Sequence, residues 1–250
     1  MASREALLFG SIPLLLSGAG ILGLSLIAQV PGSVAPSNST GGPEKDGGAA
    51  PSGPPSTPFP AETLKFEFPG ADKRDATVTF ESNTEVERVL GRLEQEDGAF
   101  AGNVEFDGKT LTGKGEFRVK VASMRTGIAT RDEHLRSDKW LDATANPEIV
   151  FTVQSMRHVG GDRFEVAGDW TMHGITKPVK VEATANFIPG TKADELALNR
   201  KDKDGKQSGQ AWVRVQAEFR IQLSAHDIKK NPKIEDAWLV RLDLFGRAAQ

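Results

Sequence analysis

The 250-residue chain contains no cysteine and no tyrosine. The first absence excludes disulfide frameworks, thiolate metal sites, a cysteine nucleophile and a lipid-modified amino-terminal cysteine together. An excess of either charge is lacking as well, since 31 Lys and Arg face 34 Asp and Glu for a formal charge of -3. With no basic surplus to neutralise a phosphate backbone, nucleic acid is not an expected partner. No Ser stands in a G-x-S-x-G elbow, and the four His show neither H-x-x-x-H nor H-E-x-x-H spacing. The motifs therefore give no metal site and no cofactor. What is present is 38% hydrophobic residues with 13 Phe and 4 Trp, which supports a core, and 26 Gly and 14 Pro, which point to many turns and a solvated stretch.

Three regions follow from composition. Leu7 to Val30 carries no charge and includes Leu14, Leu15, Leu16, Ile21, Leu22, Leu24, Leu26 and Ile27. A helix of that length, rising about 1.5 Å per residue, crosses a hydrocarbon core of about 30 Å. Its length exceeds a secretory h-region, and the candidate cleavage sites at Ala28 and Ala35 are poor, so residues 1–30 read as an uncleaved anchor in preference to a cleaved signal. Arg4 before the span places the amino terminus inside and the remainder outside, as a single-pass inner-membrane protein with a periplasmic or extracytoplasmic domain. Residues 31–61 hold eight of the prolines among Gly, Ser and Ala and read as a disordered linker. Residues 62–250 form one nearly neutral domain.

Within that domain the dominant period is two, the signature of strands with one face in a core. Val213, Val215, Ala217, Phe219, Ile221 and Leu223 alternate with Arg214, Gln216, Glu218, Arg220 and Gln222. Val179 to Phe187 and Phe117 to Val121 repeat the pattern, and weaker versions bring the expectation to eight or nine strands. Turn residues such as Asp107-Gly108 and Gly160-Gly161-Asp162 imply antiparallel connection. Long strands with one apolar face close most simply into a barrel, which leaves no edge exposed. The one helix expected covers Arg131–Ala143, and Gly190–Gln210 reads as a long polar loop. The fold class is therefore all-β, an extended antiparallel eight-stranded barrel with one short helix.

Between two strands lies Ser123-Met124-Arg125-Thr126-Gly127, then Arg131-Asp132-Glu133-His134-Leu135-Arg136-Ser137, the pair Trp140-Leu141, and Pro147-Glu148-Ile149-Val150-Phe151. Gly168-Asp169-Trp170-Thr171-Met172-His173-Gly174-Ile175-Thr176-Lys177-Pro178-Val179 follows. This succession resembles the signature of YceI-like proteins across about residues 62–248, with Trp140-Leu141 where the family commonly has Phe-Phe. The resemblance implies a lipocalin-like barrel, exported in bacteria, whose elongated apolar interior holds a polyisoprenoid or similar amphiphilic chain, with no catalysis implied.

The residues agree with that implication on their own terms. Phe117, Val119, Val121, Phe151, Val179, Val181, Phe219 and Ile221 are the candidates for an apolar lumen, and the small residues Ala183, Ala185, Ala217, Gly113, Gly115 and Gly168 on the same faces would leave room in it. At about 0.8 kcal/mol per buried CH₂, a few isoprene units contribute roughly 10 kcal/mol before ordering costs, so binding needs no reactive group. Arg131, Asp132 and His134 either meet a headgroup at a polar mouth or brace the fold, with Asp132 as a helix cap. His173 is expected to fix its turn. Two other readings stay open: a hydrolase or isomerase using Asp132, His134 and His173, and a filled barrel serving as a protein-interaction module. A homodimer is possible under any of them.

Overall fold

The computed structural model describes residues 53–69, 76–94, 96, 98–229 and 232–249. The anchor expected over residues 1–30 and most of the linker lie outside these. Among the described residues no helix is long and apolar enough to cross a membrane.

The described residues form eleven strands in one antiparallel sheet: β1 (Thr63–Phe68), β2 (Ala76–Asn83), β3 (Arg88–Leu93), β4 (Phe100–Asp107), β5 (Thr112–Lys120), β6 (Met124–Arg125), β7 (Glu148–Gly160), β8 (Arg163–Met172), β9 (Ile175–Ile188), β10 (Trp212–Gln222) and β11 (Ala237–Ala248). They count as eight staves because three staves are each made of two strands laid end to end. Along β11, Arg247 and Ala248 pair with β1, and Leu239 to Leu244 pair with β2. β4 continues β3 beside them, since β1 pairs with β4 and β2 with β3. β5 passes through a 3-10 turn at Val121–Ser123 into β6, which pairs with β3. Every stave then neighbours the next in chain order, and the β1–β11 pairing closes the ring. The result is an eight-stranded antiparallel closed barrel. Closure satisfies the backbone groups that an open edge would expose.

Alternation dictates the inside. On β10 and β11 the odd and even sets face each other in strict register, for instance Val215 with Leu244 and Phe219 with Val240. The outward set is polar and ion-paired: Arg214 takes Asp243 through two nitrogens at 2.8 and 2.6 Å, and Arg241 bridges Glu81 and Glu218 at 2.8 and 2.7 Å. The two guanidiniums of Arg241 and Arg88 hold the Glu81 carboxyl below its ordinary value. The Arg214–Asp243 and Arg241–Glu218 pairs are open to solvent, which screens them, so apolar burial carries the fold.

Helix α1 (Ala129–Arg136) is shorter than the sequence suggested and starts earlier, because the chain after Arg136 turns on the Ser137 hydroxyl, which donates to the His134 carbonyl at 2.7 Å. Asp132 near its start and His134 and Arg136 near its end suit the helix dipole. The polar loop after β9 contains a second helix, α2 (Gly190–Glu195), that the sequence did not announce. Asn199 organises this loop: its amide donates to Asp194 Oδ1 and the Gln210 carbonyl, and it accepts the Trp212 indole N–H at 2.9 Å.

One barrel end is stoppered. Residues 53–61, read from composition as the last of the linker, pack against it. Phe59 is buried among Phe106, Phe164 and Phe187, with ring centroids 4.6, 6.3 and 5.2 Å away. Asp162 clamps the segment by accepting from the Ser56 N–H and hydroxyl, both at 2.7 Å, and also accepts from Asn186. α1 lies at the opposite end, where Arg131 reaches Glu87 of the β2–β3 turn.

Candidate ligand-binding site

Three spaces follow one another along the barrel. The main interior cavity, about 110 Å³, is walled by apolar side chains alone, drawn from β1, β2, β4, β5 and every stave from β7 to β11. A second of about 40 Å³ shares Val78, Val119, Ile149, Trp170 and Val240 with it. A third of about 280 Å³ lies under α1 and shares Phe80 and Trp238 with the second. An apolar cavity of about 150 Å³ holds one benzene ring. The interior thus has room on the scale of one branched five-carbon unit.

Of the lumen candidates, Phe117, Val119, Phe151, Val181 and Phe219 line the main cavity and Ile221 the second. Val121 lines neither, because the 3-10 turn takes it off the strand parity into packed core. Val179 packs against the core without facing a cavity. The small residues divide by type. Ala183, Ala185 and Ala217 line the cavity, and Ala183 faces Ala217 directly across β9 and β10. Gly115 and Gly168 make no room: a Cβ there would stand 2.2 Å from the Asn103 carbonyl oxygen and 2.3 Å from that of Thr152. They are glycine because a neighbouring backbone already occupies the space, beside irregular register between β5, β7 and β8. Gly113 is similarly close to the Glu105 carbonyl.

The polar residues under α1 act mainly on one another. Asp132 is only 5% exposed and does not cap the helix, whose first turn it occupies. It accepts the Thr126 N–H and hydroxyl, each at 2.6 Å, and so ties α1 to the end of β6. Burial opposes its ionisation, but those hydrogen bonds and the charges of Arg136 and Arg125 hold the carboxyl below its ordinary value. Arg131 pairs with Glu87 of the β2–β3 turn at 2.9 Å. Arg131 and His134 line the 280 Å³ pocket, with Glu87, Thr126, Thr130 and Trp140. Among the described residues no group of three His, Asp or Glu is placed to hold a metal ion.

His173 belongs to a separate latch. It sits at φ 52° in the β8–β9 turn, and its Nδ1 lies 3.0 Å from the His226 carbonyl oxygen, while His226 Nδ1 lies 3.0 Å from that of Ile175. His226, a residue with no motif to mark it, is 2% exposed. Burial pushes its pKa down, the Lys177 and His173 charges add to the fall, and the Ile175 and Met172 carbonyls offset part of it. The folded state therefore prefers the neutral ring, while the unfolded state takes up a proton near pH 6.5. More protons bind to the unfolded chain on acidification, so this contribution to stability is complete above about pH 6.5 and is lost as the pH falls toward the folded-state value. The melting temperature is expected to drop across that interval, and His226→Gln to flatten the slope in a pH series of thermal melts.

The class these features define is a closed antiparallel barrel with an all-apolar interior, open space inside and a polar pocket at one end. The YceI-like domain model matches residues 70–244, and the chain belongs to that family. It is similar to Protein YceI of Shigella flexneri, 39% identical over 96 residues that make up 38% of this chain and 48% of that one. A UPF0312 protein of Pseudomonas savastanoi pv. phaseolicola is 36% identical over 99 residues, 39% of this chain and 50% of the other. The matched stretch spans about half the length of these curated relatives. Among solved structures, BcnA of Burkholderia cenocepacia superposes with a TM-score of 0.52 at 18% identity, covering 68% of this chain and 95% of its own. The YceI protein of Campylobacter jejuni does so with the same score and identity, covering 67% and 90%. Identities this low speak for the fold alone.

Proposed function

We propose that the chain binds and carries a polyisoprenoid or similar long-chain amphiphile, without chemistry, inside its barrel. The observation that carries the reading is the 110 Å³ cavity walled by apolar side chains alone and continued toward the pocket under α1. Hydrophobic burial supplies the affinity, at about 0.8 kcal/mol per CH₂. Family membership supports a binding role over a catalytic one, and Asp132 and His173 are each committed to structural hydrogen bonds. The stopper around Phe59 leaves the α1 end as the entrance, where Val86 and Ile128 present exposed apolar side chains to an arriving tail. Attachment to a membrane and an extracytoplasmic location rest on the uncharged run from Leu7 to Val30.

The test is organic extraction of the purified full chain followed by mass spectrometry. A long-chain isoprenoid is expected in near-stoichiometric yield. A preparation that releases none, and takes up no prenyl chain when offered one, overturns the reading.

A further inference from the structure

The end of the barrel far from α1 is closed by a piece of chain that no stave supplies. Residues 53–62 cross it as a strap tied down on both sides. At the β7–β8 turn the Gly161 N–H donates to the Gly53 carbonyl at 2.8 Å, and the Asp162 carboxylate accepts from Ser56. At the β4–β5 turn the Gly108 N–H donates to the Glu62 carbonyl at 3.0 Å. The strap lies so close there that a Cβ on Gly108 would stand 1.8 Å from the Pro60 carbonyl oxygen. Between the two ties Phe59 meets Phe106 of β4 on one side and Phe164 of β8 and Phe187 of β9 on the other, with β5 and β7 between them in the wall. Its ring therefore lies across the bore.

Phe59 also lines the main cavity. Phe106 and Phe164 line it too, but they rise from strands and bound the bore from its sides, whereas Phe59 comes in over the rim and bounds it at its end. The flanking residues stiffen that end wall. Pro58 has a fixed φ, and Pro60 confines the residue before it, Phe59, to extended backbone. With entry at the α1 end, the Phe59 ring is the last surface that an incoming chain reaches.

We propose that Phe59 sets the length of tail that the barrel accepts: it ends the space a prenyl-type chain can fill, and the terminal isoprene unit rests against its ring. The assignment depends on the lipid-carrier reading and adds to it a residue that selects among ligands. A benzyl side chain and an isoprene unit are of similar bulk. A cavity opened by truncating a buried ring persists because its surroundings relax only in part, and an apolar one takes up an apolar guest. Phe59→Ala thus lengthens the bore by room for about one unit.

The experiment offers the full chain an equimolar ladder of prenyl alcohols rising by single isoprene units and counts the loaded species by native mass spectrometry. The wild type loads up to a limiting length. In Phe59→Ala the next longer alcohol gains at least about tenfold over the wild type's longest, and in Phe59→Trp, with more bulk at the same point, that longest one loses by a similar factor. In the wild-type chain, where no variant has to fold, the isotope-labelled terminal methyls of the bound alcohol show a nuclear Overhauser contact with the Phe59 ring. An unchanged limit in the folded variants, or terminal methyls that make no such contact, overturns the assignment and leaves the carrier reading in place. So does the loss of every length limit in Phe59→Ala, since the whole strap and not the ring would then be the stop. If no prenyl alcohol of any length loads the wild type, the carrier reading itself falls and takes the assignment with it.

Discussion

Ala217→Phe is expected to abolish loading of a prenyl chain while the barrel stays folded. Ala217 faces Ala183 across β10 and β9, and both line the main cavity, so this is where the wall is thinnest in side-chain volume. A phenyl ring projected from Ala217 enters a space of about 110 Å³, smaller than the cavity of about 150 Å³ that holds one benzene ring, and so fills it. Each five-carbon unit thereby excluded removes about 4 kcal/mol of burial, nearly a thousandfold in affinity. Overfilling a packed core costs about 1–3 kcal/mol, and here part of the ring goes into existing space, so a cooperative melt should survive. Loading by native mass spectrometry beside a thermal melt reads both effects. A folded variant that loads like the wild type would show that the tail does not use the interior.

Phe164→Ala is expected to lower stability by about 3–5 kcal/mol. Phe164 is 1% exposed and stands at the crossing of several aromatic contacts: Phe106 at 5.9 Å, Phe59 at 6.3 Å and His158 at 5.3 Å. Truncation removes the ring around which the stopper of the far end is built, and the closed strands on either side cannot collapse to fill the void. Denaturant melts give the value directly. A loss below about 1 kcal/mol would mean that the four rings do not act as one packed cluster.

The barrel was legible because its faces alternate so strictly from Val179 to Phe187 and from Val213 to Leu223. Local pattern failed where three-dimensional neighbours decide. β3 escaped notice because Gly91 thins its inward set to Val89 and Leu93, and Leu90 puts a large apolar group on the outward one. β6 is two residues long and carries no period at all. Gly115 and Gly168 sit on the correct parity for a lumen, yet only the approach of a neighbouring carbonyl tells why they lack side chains. Asp132 read as a cap because acidic residues favour helix starts, whereas its actual partner, Thr126, is set by how β6 leads into α1. Proline-rich composition concealed the role of residues 53–61, for which Phe59 was the one available sign. The 40 Å³ space could not be read at all, because Trp170 on β8 and Trp238 on β11 come to line it together only through closure of the ring.

Three adjacent staves are built in two lengths, with β2, β3 and β6 continuing β1, β4 and β5 toward α1. Those short lengths supply Val78, Phe80, Leu93 and Met124 to the 40 Å³ space. This jointed sector stands against a wall in which the β8–β9 ladder runs the full length of β8 and the β10–β11 ladder the full length of β10, while the β9–β10 ladder ends at Ala183 and Ala217. Both departures from a continuous ladder, the end-to-end joints and the parted β9–β10 seam, therefore fall toward the α1 end, so the backbone there is held by fewer cross-strand bonds than at the stoppered end.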